Sequence, residues 1–254
     1  MPDRPDGQEI LSEHRPAQID AAPGGGQRLG MARLWLLWTV ANAVGGMLGF
    51  GTGGLVTFGV LAALDLLHLD RARSAGEVAL VLLCACAWPP IAGGIAAWAQ
   101  WLVLRWSLGL GEGVGWVRMQ AVLWLVGIAL GGLIIYLAEF VPHGPVATPA
   151  AFVVAGLVLA TPIALGQWSA LRAHSSNAWV WLPIVPVGYA VGFMVGTAAA
   201  GATLQSVAVT DGLTTLVVAP ALAGAAGGCV SGLVTGVALV YLVRGAAAPA
   251  GRHG

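Results

Sequence analysis

Six stretches of this chain, 34–64, 78–104, 116–138, 150–171, 178–200 and 214–243, each run for more than twenty residues, and together they hold one charged side chain, Arg118. A helix rising ~1.5 Å per residue crosses a ~30 Å hydrocarbon core in about twenty residues. A helix packed on a soluble core would be shorter and apolar on one side only. The pattern predicts an all-α polytopic membrane protein of six transmembrane helices. The first stretch exceeds the need, at about 46 Å, and is expected to tilt or to surface in an amphipathic turn over Asp65–Asp70.

Composition closes off the soluble alternative. Of 254 residues, 58% are hydrophobic and 9% charged, against roughly 25% charged in soluble domains; the mean hydropathy is +0.84. Eleven acidic residues balance eleven arginines, and there is no lysine. No net field draws the chain to nucleic acid. Cys84, Cys86 and Cys229 lie inside apolar runs without the CxxC spacing or histidine neighbours of a metal site, so they read as small packing residues.

Residues 1–30 mix acidic and basic side chains with prolines and Gly24–Gly26, and have no apolar centre of the kind a secretory signal needs. They are expected to form a solvated tail before a membrane domain at 31–244, which a second short tail, 245–254, follows. Arginine counting sets the orientation. With six spans, Arg4, Arg15, Arg28, Arg33, Arg105, Arg118, Arg172, Arg244 and Arg252 share one side, and Arg71 and Arg73 the other. Nine against two places both termini in the cytoplasm and the protein in the inner (plasma) membrane.

The chain also repeats itself. The second helix closes on Gln100-Trp101-Leu102-Val103-Leu104-Arg105 and the fourth on Gln167-Trp168-Ser169-Ala170-Leu171-Arg172. The sixth keeps a leucine-rich run and Arg244 but has Leu239-Val240 in place of Gln-Trp. In the odd helices, Trp38 precedes Gly45, Gly49 and Gly53 with the spacing by which Trp181 precedes Gly188, Gly192 and Gly196. The third helix carries Gly127 and Gly131 but places Trp116 and Trp124 differently, so the middle pair is expected to be the most divergent. Three tandem two-helix units, about 31–106, 114–173 and 177–244, are the simplest account.

Helices in lipid associate by close backbone packing, which small residues permit. Glycine every fourth residue makes a packing face, and Gly224, Gly228, Gly232 and Gly236 make the longest. Most of the eleven tryptophans fall near span ends, as interfacial anchors do. Arg105, Arg172 and Arg244 suit the same interface, where they can reach phosphates and complement helix dipoles. They are candidate interfacial anchors or anionic-lipid contacts. Gln100 and Gln167, about 7.5 Å deeper, are candidate interhelical polar contacts.

With its tryptophan, glycine-rich helix and QWLVLR-type ending, the chain resembles bacterial multi-pass membrane proteins built from the same repeated unit. The resemblance covers approximately 31–244 and implies a fold and a membrane location; no activity attaches to that family.

The residues of reaction chemistry are scarce. Asn42, Gln100, Gln120 and Gln167 are the main polar side chains within spans, which argues against a proton pump, a carboxylate-coupled transporter or a voltage sensor. Ser231 has no histidine within a span to act as its base. No histidine lies at haem depth, and no phosphate-binding loop is present. Asp65, His68, Glu139 and His143 have types that suit a divalent cation, but a solvated rim explains them better. No catalytic, cofactor or metal site is therefore assigned. The expectation is a non-enzymatic integral membrane protein, an accessory or assembly subunit acting through its glycine-lined packing faces, with the lipid bilayer and another membrane protein or complex as its expected partners. The alternative is a transporter or channel for a small neutral or apolar solute, with discontinuous helices near Pro89-Pro90, Pro162 and Pro220 lining its path.

Overall fold

A computed structural model describes residues 30–63, 74–138, 147–206 and 213–246. The expected tails, the turn over Asp65–Asp70 and the candidate cation residues Asp65, His68, Glu139 and His143 lie outside the described residues, except for the edges of the tails. The described chain is all-helical. Its six helices are α1 (Met31–Ala63), α2 (Ala75–Leu108), α3 (Gly113–Ala138), α4 (Ala147–Leu171), α5 (Trp181–Ser206) and α6 (Ala219–Ala246). All but α2 contribute to five stretches long and apolar enough to cross a membrane.

Local signals explain the helix ends. Ser74 caps α2, accepting from the Glu77 amide while the Glu77 carboxylate accepts from the Ser74 amide, a reciprocal arrangement that satisfies two otherwise orphaned donors. At the other end Gly109 takes a left-handed conformation (φ 69°) and donates to Arg105 O, the usual glycine stop. Prolines do less than the sequence suggested. Helix α2 runs unbroken through Pro89 and Pro90, and α4 through Pro162. Only Pro220 coincides with an irregularity, a π-helical turn at Thr214–Val218 that leads into α6. Proline has no N–H to give to the carbonyl four residues back, here that of Leu216. That carbonyl lies against Gly54 of α1.

The helices form a closed ring in chain order: α1 packs on α2, α2 on α3, and so on round to α6, which returns to α1. Consecutive helices are antiparallel, so α1, α3 and α5 begin at the end where α2, α4 and α6 finish. That end carries Arg105, Arg172 and Arg244 and is called here the arginine end.

Glycines set the close approach at the seams. Gly45 and Gly49 face Ala96 and Ala92 of α2, Gly46 faces Gly224 of α6, and Gly228 and Gly232 face Asn42 and Thr39 of α1. Gly192 and Gly196 meet Gly227 and Ala223 across the α5–α6 seam, and Gly188 meets Thr235. Gly53 and Gly236 leave room for the rings of Trp88 and Trp35. A methyl group at most of these positions would strike a neighbour's backbone or an indole. Leu36, Val40, Leu48, Leu55, Val122, Val187 and Val237 are exposed, which gives the ring an apolar outer surface that suits lipid.

Candidate functional site

The two ends of the ring are filled differently. Towards the arginine end, the odd helices send tryptophan and amide side chains inward. Trp38, Trp116 and Trp181 are all buried, and each donates its indole N–H to the helix before it in the ring. Trp38 donates to Thr235 Oγ1 of α6 at 2.8 Å, Trp116 to Ala97 O of α2 at 3.1 Å, and Trp181 to Gln167 Oε1 of α4.

One turn further in stand Asn42, Gln120 and Val185, at four residues beyond each tryptophan. Gln100 Nε2 donates to Asn42 Oδ1 at 2.8 Å and makes a longer contact, 3.4 Å, with the Tyr189 hydroxyl. Gln167 Nε2 approaches Gln100 Oε1 at 3.4 Å. Residues from α1, α2, α4 and α5 thus join in one chain of side-chain hydrogen bonds, Asn42–Gln100–Gln167–Trp181, which crosses the ring. Gln120 is equally buried, but its Nε2 has no partner among the described residues.

Beyond this plug the ring is hollow. A cavity of about 410 Å³ is lined by residues of all six helices and by Thr215 of the π turn. Its inner end carries Asn42, Tyr189 and Ser231, together with Trp124, which meets the Tyr189 ring edge-on at 5.8 Å. Phe50 stacks edge-on to Trp124 and to Trp88. Phe50, Ile128 and Phe193 project one turn further along, and the wall continues through Gly132 and Thr197 to Leu204. From Tyr189 to Leu204 is about 22 Å along α5 at 1.5 Å per residue. Among the described residues no charged side chain lines the cavity, and its size falls within the ~300–1,000 Å³ of ligand pockets.

The residues singled out from sequence divide into three groups. Gln100 and Gln167 meet each other and form the plug. The glycine faces point at neighbouring helices of the same chain. The arginines are held apart on the exposed end of the ring. Arg105 lies over the Trp101 ring and Arg172 over the Trp168 ring, each at 5.2 Å to the centroid. The Trp-x-x-x-Arg part of the repeated ending is therefore a cation–π pair one helical turn long. Where the sixth helix has Val240 instead of tryptophan, Arg244 Nε approaches Met31 Sδ at 2.7 Å.

Sequence reasoning passed over Tyr189, Trp124 and Phe50. The signal was a stripe at four-residue spacing on each odd helix: Trp38-Asn42-Gly46-Phe50, Trp116-Gln120-Trp124-Ile128 and Trp181-Val185-Tyr189-Phe193. It also shows that Trp116 is in register with the other two tryptophans, eleven residues before Gly127 as Trp38 is before Gly49 and Trp181 before Gly192. Comparison with protein-family models, with curated proteins and with solved structures finds no match for this chain.

Proposed function

We propose that this protein is a non-enzymatic, multi-pass membrane protein that takes an apolar molecule into the cavity its helices enclose, as a carrier or transporter. The observation that supports this reading most is the cavity itself: apolar, without a charged side chain among the described residues, walled by every helix and stopped at one end by an amide and tryptophan plug. Helix α2 counts as the sixth span, because residues 78–104 contain no charged side chain. The matched stripes support three tandem two-helix units around a pseudo-threefold axis. Arginine counting puts the plugged end at the cytoplasmic face of the plasma membrane.

The reading as an accessory subunit has less behind it. The glycine faces it would offer a partner meet helices of the same chain, so a partner would have to use the outer surface.

Gly132 provides the test. It lines the cavity, and a carbon added there meets nothing within 4 Å, so a side chain can start from this position without striking a neighbour, and Gly132→Trp is chosen to fill the space. Hexadecane supplied in detergent micelles should raise the melting temperature of the wild-type protein by binding the folded state and should leave the variant unmoved. Equal responses in the two proteins would refute the proposal.

A further inference from the structure

The polar groups at the inner end of the cavity define the ligand more closely, given the function proposed above. We infer that the ligand is a neutral, single-chain molecule with a hydrogen-bond-accepting end, an alcohol, ether, ester or ketone, whose polar end rests on Tyr189 while its chain runs along the apolar wall.

Three observations carry this. The first is the state of the Tyr189 hydroxyl. Among the described residues its one hydrogen bond is accepted from Gln100, so its own hydrogen remains to be given, and Tyr189 lines the cavity. A phenol at membrane depth with an unspent donor favours a ligand acceptor, since an unpaired hydroxyl in apolar surroundings is costly. Gln100 already directs its amide group at Asn42 and Tyr189, which fixes the phenol from behind.

The second observation is the absence of charge. Asn42, Tyr189 and Ser231 are the polar side chains at the inner end, and among the described residues no arginine or histidine lines the cavity. A carboxylate or phosphate brought there would lose its hydration with no counter-charge to replace it, a far larger penalty than a neutral head incurs.

The third is shape. The wall extends about 22 Å from Tyr189 to Leu204, longer than half of a ~30 Å hydrocarbon core, and so long enough for one lipid-length chain. The rings of Phe50, Trp124 and Phe193 flank its inner part. A compact polar solute would leave most of that wall uncovered.

The test compares ligands that differ only at the head. Hexadecane, hexadecan-1-ol, 1-methoxyhexadecane and hexadecyl phosphate are titrated in micelles at matched mole fractions, and affinities are taken from the shift in melting. The alcohol and the ether should both bind roughly three- to tenfold more tightly than the alkane, the scale of one net hydrogen bond. The phosphate should bind no better than the alkane. In Tyr189→Phe the advantage of alcohol and ether should vanish while hexadecane affinity stays the same. Alcohol, ether and alkane binding alike to the wild type would overturn the inference yet leave the cavity reading standing. So would a phosphate that matches the alcohol, or a Tyr189→Phe variant that loses all ligands equally. No shift with any ligand would overturn both. Should Tyr189→Phe fail to fold, the ligand series on the wild-type protein decides alone.

Discussion

Trp38 Nε1 donates to Thr235 Oγ1 at 2.8 Å and so joins the first helix to the last across 197 residues of sequence. Thr235 passes its own hydrogen to Ser231 O at 2.7 Å, and the Trp38 ring meets Trp181 edge-on at 5.7 Å. One buried contact therefore closes the ring and ties α1, α5 and α6 together at the plugged end.

Breaking that closure should be measurable. Thr235→Val keeps the volume but leaves the Trp38 indole N–H buried without an acceptor, at a cost of ~1–3 kcal/mol. Denaturant unfolding in mixed micelles reads the loss. Adding Trp38→Leu to the same protein should cost less than the two single changes together, because the stranded donor goes with the ring. Strict additivity would mean that the pair is not coupled.

The buried glutamines should behave in opposite ways. Gln100→Leu strands Asn42 Oδ1 and removes the acceptor of Gln167, and should destabilise by ~1–2 kcal/mol. Gln120→Leu removes an amide nitrogen with no partner among the described residues and should be neutral or stabilising. The same unfolding assay compares them. A loss at Gln120 equal to that at Gln100 would show that Gln120 has a partner after all.

Glycine substitutions should sort by what they face. Gly228→Leu with Gly232→Leu drives two side chains into the α1 backbone at Asn42 and Thr39, and should lower the melting temperature steeply or abolish folding. Gly59→Leu, where an added carbon meets nothing within 4 Å, should leave it nearly unchanged. Similar melting in both variants would place the α6 glycines on a lipid-facing surface.

Much of this architecture is legible in the sequence because it depends on one-dimensional quantities. Long uncharged runs mark the helices, and the ending Gln-Trp-x-x-x-Arg marks where α2 and α4 finish. Partner choice is a tertiary matter. Gly228 and Gly192 look alike in sequence, yet one fits against Asn42 of α1 and the other against Gly227 of α6. The cavity was hidden for a related reason. Phe50, Trp124, Tyr189 and Phe193 read as ordinary apolar residues until the ring closes and turns them towards a common axis. The effect of a proline depends on the helix around it, which the sequence does not show. In α4, Pro162 has no N–H to give to the Val158 carbonyl, yet the helix continues through it, as membrane helices often do. The place of Trp116 is hard to read because Leu123 stands seven residues after it, where Gly45 and Gly188 follow Trp38 and Trp181; counted from Gly127, the register is clear.

Reporter fusions test the topology. Fusions after Gly254 and at Gly109 and Ser175 should report cytoplasm. Fusions at Arg73, at Val146 and just after Ser206 should report the opposite side. A cytoplasmic signal from any of the last three would contradict six alternating spans.

The central claim is that the ring holds an apolar ligand inside, and photolabelling addresses it most directly. A sixteen-carbon aliphatic diazirine is irradiated with the reconstituted protein, and the labelled peptides are sequenced by mass spectrometry. Labelling should saturate, should map to Phe50, Ile128 and Phe193 on the cavity wall, and should disappear from those residues in Gly132→Trp. Labelling that never saturates, falls on outward residues such as Leu55, Val122 and Val237, and is indifferent to Gly132→Trp would contradict the account.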